Sequence, residues 1–114
     1  MTTSPTAIPM IKHASAIECQ IVGKLVADLL NLGQNLSIWN GGDEPELKHS
    51  RDADAIYGAL AASDEDEIVV YSGLRRSGWI RLVWGNDCSV ISDYTTNIEA
   101  MVAGANALAD KLEG

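Results

Sequence analysis

The stretch from Ile68 to Tyr94 restricts the fold more than any other part of the chain. Ile68-Val69-Val70-Tyr71 is β-branched and aromatic, which suits a pleated surface. Trp79 to Trp84 alternates, with Ile80, Leu82 and Trp84 on one side and Trp79, Arg81 and Val83 on the other. Cys88 to Tyr94 forms a third run. A turn from Gly73 to Gly78, holding Arg75 and Arg76, separates the first two runs, and Gly85-Asn86-Asp87 separates the last two. Short local turns mean hairpins, so this region predicts a three-stranded antiparallel meander.

Two helical patterns flank it. Ile17, Ile21, Val22, Leu25, Val26, Leu29 and Leu32 recur at three- and four-residue steps. Ser15-Ala-Ile-Glu18 before them has capping-box spacing, and Gly33 is a stop. From Asn97 to Leu112, residues Ile98, Met101, Val102, Ala105, Leu108, Ala109 and Leu112 form a second one-sided stripe, and Thr96-Asn-Ile-Glu99 repeats the capping-box spacing. Ala103, Gly104 and Ala107 make a smooth face that permits close helix packing.

Between helix and meander, Leu36 to Trp39 is a short strand, Asn40-Gly41-Gly42-Asp43 a turn, and Glu46 to His49 a marginal edge strand after Pro45. Ser50 reads as an N-cap, and Ala53, Ile56, Ala59 and Leu60 give a shorter helix from Arg51 to Ala62. The order α-β-β-α-β-β-β-α predicts an α+β fold, an antiparallel sheet packed by two long helices and one shorter one. At 114 residues this is a single domain, 12–114, after an arm of residues 1–11 that contains Pro5 and Pro9. Phe is absent, so three Trp and three Tyr carry the aromatic packing.

Charge narrows the partners. The formal net charge is −8. Nine acids fall between Asp43 and Glu67 (Asp43, Glu44, Glu46, Asp52, Asp54, Asp64, Glu65, Asp66, Glu67), opposed only by Lys48 and Arg51. Three arginines without an acid lie between Leu74 and Arg81. Such a balance argues against direct nucleic-acid binding and against an anionic membrane surface. A continuous negative face can instead steer a basic protein surface, with Asp43, Glu44, Glu46, Asp64, Glu65, Asp66 and Glu67 as its candidate residues.

Catalytic signals are thin. His13, His49, Asp52 and Asp54 are the available metal ligands beside the cysteines, but His49-x-x-Asp52 straddles a strand–helix junction and has no third ligand at a motif spacing. Cys19 and Cys88 lack zinc spacing and read as packed thiols in a reducing cytoplasm. No G-x-S-x-G occurs, and the two glycine-rich turns lead into acids or join strands rather than open a helix. No cofactor, metal or catalytic group is expected. Trp79 and Arg81 share a strand face and form a candidate interface. Asp93 and Tyr94, inside Val90-Ile-Ser-Asp-Tyr-Thr-Thr-Asn97, are candidates for a pocket, although most of that segment reads as a strand-to-helix joint.

The segment from Trp79 to Asn97, with the helix after it, resembles small proteins of bacteriophages and prophages in which a G-N…I-S-D-Y-T-x-N stretch precedes a C-terminal amphipathic helix. It covers roughly the last third of the chain and carries no assigned catalytic residues. It implies a phage-encoded, non-enzymatic accessory protein in the cytoplasm of a bacterial host. The expected action is binding a host protein with a basic surface, as an anti-defence or anti-CRISPR inhibitor would. The alternatives are a small ligand-binding domain or enzyme with a pocket near Asp93 and Tyr94, and a homodimeric structural module.

Overall fold

The computed structural model describes residues 8–114. α1 spans Ala16–Asn31, β1 Asn35–Trp39, β2 Leu47–Ser50, α2 Ala53–Ala59, β3 Glu65–Ser72, β4 Arg75–Val83, β5 Ile91–Tyr94 and α3 Glu99–Glu113. Short 3-10 turns at Asp87–Ser89 and Thr96–Ile98 lead into β5 and α3. The strands form one antiparallel sheet in the order β2-β1-β3-β4-β5. This is the expected α+β class.

The core lies between the helices and one sheet face. Ile21, Val22, Leu25, Val26 and Leu29 of α1 meet Leu36 and Ile38 of β1, Ile68 and Val70 of β3, Ile80 and Leu82 of β4, Ile56 of α2, and Val102 and Ala105 of α3. All are fully buried, at about 1.5–3 kcal/mol for each large side chain. α1 and α3 run against each other, and Gly104 makes the approach possible: a Cβ there would stand 2.6 Å from Asp28 Oδ2 and 3.0 Å from Lys24 Cε.

The start of α1 is the capping box expected from its sequence. Ser15 Oγ accepts from the Glu18 amide at 3.1 Å, and Glu18 Oε1 accepts from the Ser15 amide at 2.9 Å. The same carboxylate, 1% exposed, does something its sequence does not announce. Its Oε2 accepts from the amides of Gly85, Asn86 and Asp87 at 2.7, 2.8 and 3.1 Å. Four backbone donors offset the desolvation of a buried charge, so Glu18 fastens the β4–β5 loop to the first helix.

Several local expectations give way. Arg75 and Arg76 lie on β4, because a two-residue turn at Gly73-Leu74 closes the hairpin. Gly78 is therefore inside the strand, opposite Val70. Cys88 sits in a 3-10 turn rather than on a strand, and β5 begins only at Ile91. α2 is shorter than expected, and Asp52, not Ser50, caps it, its carboxylate accepting from the Asp54 and Ala55 amides. Thr96 makes no side-chain cap, since residues 96–98 form a 3-10 turn before α3. The described end of the N-terminal arm is docked, not loose: Ile11 is 4% exposed and the Pro9 ring lies over Gly23. Residues 1–7 of that arm lie outside the described residues.

Candidate functional site

All three helices contribute to the core on one side, so no helix among the described residues lies over the other sheet face. Pairing register fixes what this open face displays, because directly paired residues point the same way. One row crosses four strands as Trp39, Glu67, Arg81 and Asp93. The next holds Ser37, Val69 and Trp79, but Ser37 and Val69 are buried beneath their neighbours and Trp79 is half-buried, so the exposed part of this face lies at its ends. The third holds Asn35, Tyr71 and Arg76, where the His49 ring stacks against Tyr71 at 4.2 Å and its Nδ1 meets Asn35 Oδ1 at 2.8 Å. His49 is thus engaged with Asn35 and Tyr71, while Asp52 caps a helix. Among the described residues no three His, Cys, Asp or Glu side chains converge as a metal site.

Strand direction sorts the charges. β1 ends, and β3 begins, at one end of the sheet, and the β1–β2 loop crosses there. Asp43, Glu44 and Glu46 on that loop therefore share an end with Asp64, Glu65 and Glu67. All but Glu67, which is half-buried, are exposed. Arg81 is the cation among them, 3.8 Å from Glu65 and mostly solvated, an interaction of a few tenths of a kcal/mol. A groove of about 580 Å³ opens at this end. Trp39, the Gly41-Gly42 backbone, Asp64, Glu65, Glu67 and Arg81 line it, so three exposed or half-buried carboxylates share the groove with one guanidinium. The opposite end carries Arg76 and the hairpin turn beside Arg75.

The expected acids do not all belong to this surface. Asp66 alternates to the helix side of β3 and is 2% exposed, so it sits at the inner lining of the groove and offers a partner almost no surface. Its Oδ2 accepts from the Trp84 indole N–H at 2.7 Å and from the Ala61 amide at 2.6 Å, while Oδ1 is buried without a hydrogen-bond partner. Ala61 is held there at φ 62°, a left-handed conformation that costs a non-glycine residue about 1 kcal/mol. Burial is the main reason the Asp66 carboxyl is pushed above its ordinary range, and the nearby Glu46 charge adds to it. The two hydrogen bonds pull the other way without cancelling that. Asp52 and Asp54 separate from the cluster as well, as the cap and first turn of α2, so the nine acids are not one continuous face.

The candidate interface residues divide similarly. Trp79 and Arg81 share the open face, and Asp93 stands beside Arg81. Tyr94 does not: a bulge between Arg81 and Leu82 pairs Ile91 with Leu82 and Tyr94 with Ile80, so both pack toward the core. Asn106 of α3 donates to the Tyr94 hydroxyl at 3.3 Å. Asp93 Oδ1 accepts from the Tyr94 amide at 2.8 Å. Side chains on opposite faces of one strand cannot line one pocket. The sequence offers all three tryptophans as candidates for a pocket or partner surface and Gly41-Gly42 only as a turn; Trp39 is the tryptophan at this groove. The role of Trp39 and the two glycines in the groove depends on β1 lying beside β3, a pairing of residues about thirty apart that no local pattern marks.

The chain matches no protein-family model, no curated protein sequence and no solved structure.

Proposed function

We propose that this chain is a small non-enzymatic binding protein whose acidic sheet end docks on a basic protein surface. The observation that carries the reading is the convergence of Asp64, Glu65 and Glu67 with the Asp43–Glu46 loop around a Trp39-lined groove. The Trp39 ring supplies contact area, while the surrounding carboxylates steer and orient a cationic partner. The alternative pocket at Asp93 and Tyr94 is disfavoured because the two side chains leave opposite faces of β5. The phage-protein resemblance of the last third of the chain makes the partner a bacterial host protein, and occlusion of a basic groove the mode of action, as in an anti-defence inhibitor.

The test is affinity purification of the tagged protein from bacterial lysate at low and high salt. Wild type is compared with a Glu65→Lys, Glu67→Lys variant. A partner held through this surface is expected to be captured at low salt, weakened at high salt and lost from the variant. Complexes that survive charge reversal unchanged would overturn the reading.

A further inference from the structure

The end of the molecule opposite the acidic groove carries a feature that neither core packing nor turn chemistry requires. The β3–β4 hairpin is closed by Gly73 and Leu74, with Ser72 paired to Arg75. Gly73 supplies the positive φ, 64°, that tight turns need. The second turn position ordinarily holds a small polar residue or glycine. Here it holds Leu74, 90% exposed. Arg75 and Arg76 beside it are exposed and make no ion pair among the described residues. Paired strands extend along the hairpin from the Ser72–Arg75 pair to the Glu65–Val83 pair, so this apolar apex with two cations stands on a rigid ribbon.

The same ribbon ends, at its other extreme, in the groove. That groove offers the converse chemistry: Trp39 for an aliphatic side chain, and Asp64, Glu65 and Glu67, only one of them within 4 Å of the lining Arg81, for two guanidinium groups. We infer that the Gly73–Arg76 tip of one copy of this chain docks in the acidic, Trp39-lined groove of a second copy. The inference rests on reading the groove as a binding surface and adds a specific occupant for it. Tip and groove lie at opposite ends of each subunit, so the contact is heterologous. A copy engaged through its tip still offers a free groove, so the assembly grows head to tail, as a closed ring or an open series according to the rotation between copies. The contact is small, and copies carrying a net charge of −8 repel one another, so association is weak and concentration-dependent. A copy whose groove is filled in this way cannot engage a basic partner, which makes self-association a concentration-dependent brake on the proposed function.

Sedimentation of the purified full chain tests this without any host protein. Average mass is expected to rise between micromolar and millimolar concentration. Leu74→Asp alone, and Arg75→Glu with Arg76→Glu, are each expected to lower the association constant roughly tenfold or more. These side chains are solvent-exposed, and circular dichroism checks that the variants stay folded. Mixing the Arg75→Glu, Arg76→Glu chain with a Glu65→Lys, Glu67→Lys chain restores opposite charges at the contact and is expected to restore association that neither shows alone. A wild-type chain that stays monomeric throughout would overturn the inference while leaving partner capture by the groove untouched. Association indifferent to Leu74→Asp, or not restored in the mixture, would also overturn it.

Discussion

Asp66 shows how much one alternation step decides. It stands in the run Asp64-Glu65-Asp66-Glu67, where composition sees four equivalent carboxylates. β3 sends Glu65 and Glu67 to the open face and turns Asp66 inward, where it holds the left-handed Ala61 turn and the Trp84 ring. Its charge is carried at a cost, because burial favours the protonated form. With the folded-state pKa above the ordinary 3.8, the folded chain binds more protons than the unfolded chain between those two values. That contribution to stability therefore increases as pH falls through the window. Asp66→Asn removes the titration but keeps an oxygen acceptor. The wild type is expected to gain stability relative to Asp66→Asn as pH is lowered from 7 toward 4, read as the difference in urea midpoints. A constant difference would show that Asp66 does not titrate in that range.

At the scale of elements, α1 and the meander were legible because their patterns are local. A capping box, a 3.6-residue stripe and a glycine stop delimit α1 within the sequence itself. The joint between β5 and α3 was less so. Thr96 and Glu99 have capping spacing, yet the residue that organises the joint is Thr95: its Oγ1 accepts from the Trp79 amide at 3.1 Å, tying the end of β5 to β4. Gly78 makes room for it. A Cβ at Gly78 would collide with Thr95 Oγ1 and lie 3.0 Å from Ile98 Cγ2. Sequence reading took this glycine as the end of a turn, because nothing near it in the chain shows that β5 and the following 3-10 turn pack on it. Gly78→Ala is expected to destabilise by about 2 kcal/mol, from overpacking and a displaced Thr95. Chemical denaturation measures this, and a cost below about 0.5 kcal/mol would mean that the joint yields freely.

Across the described residues the sheet's charges are polarised along the strand direction, with the acids and Arg81 at one end and Arg75 and Arg76 at the other. The sequence shows two charge-biased blocks, but only strand order places them at opposite ends. β1 sits beside β3, so the β1–β2 loop acids join those that begin β3, while β4 starts at the far end with Arg75 and Arg76 and brings only Arg81 back among the acids. Crowding like charges at one end works against folding stability. Replacing Glu65 and Glu67 by lysine is therefore expected to leave the thermal midpoint unchanged or to raise it, as a melt followed by circular dichroism would show. Loss of binding in that variant would then report on the surface and not on unfolding; a clearly lowered midpoint would instead give these acids a structural role.

The carboxylate of Glu18 also sets an order of assembly. The loop amides it accepts lie 67 to 69 residues further along the chain. On the ribosome, α1 is complete long before those donors have been synthesised, and until they arrive Glu18 Oε2 lacks its three amide partners. The N-terminal turn of α1 thus completes its hydrogen bonding only once the β4–β5 loop has been made. The helix is anchored by a loop translated well after it, and a chain that stops before Gly85 lacks that anchor.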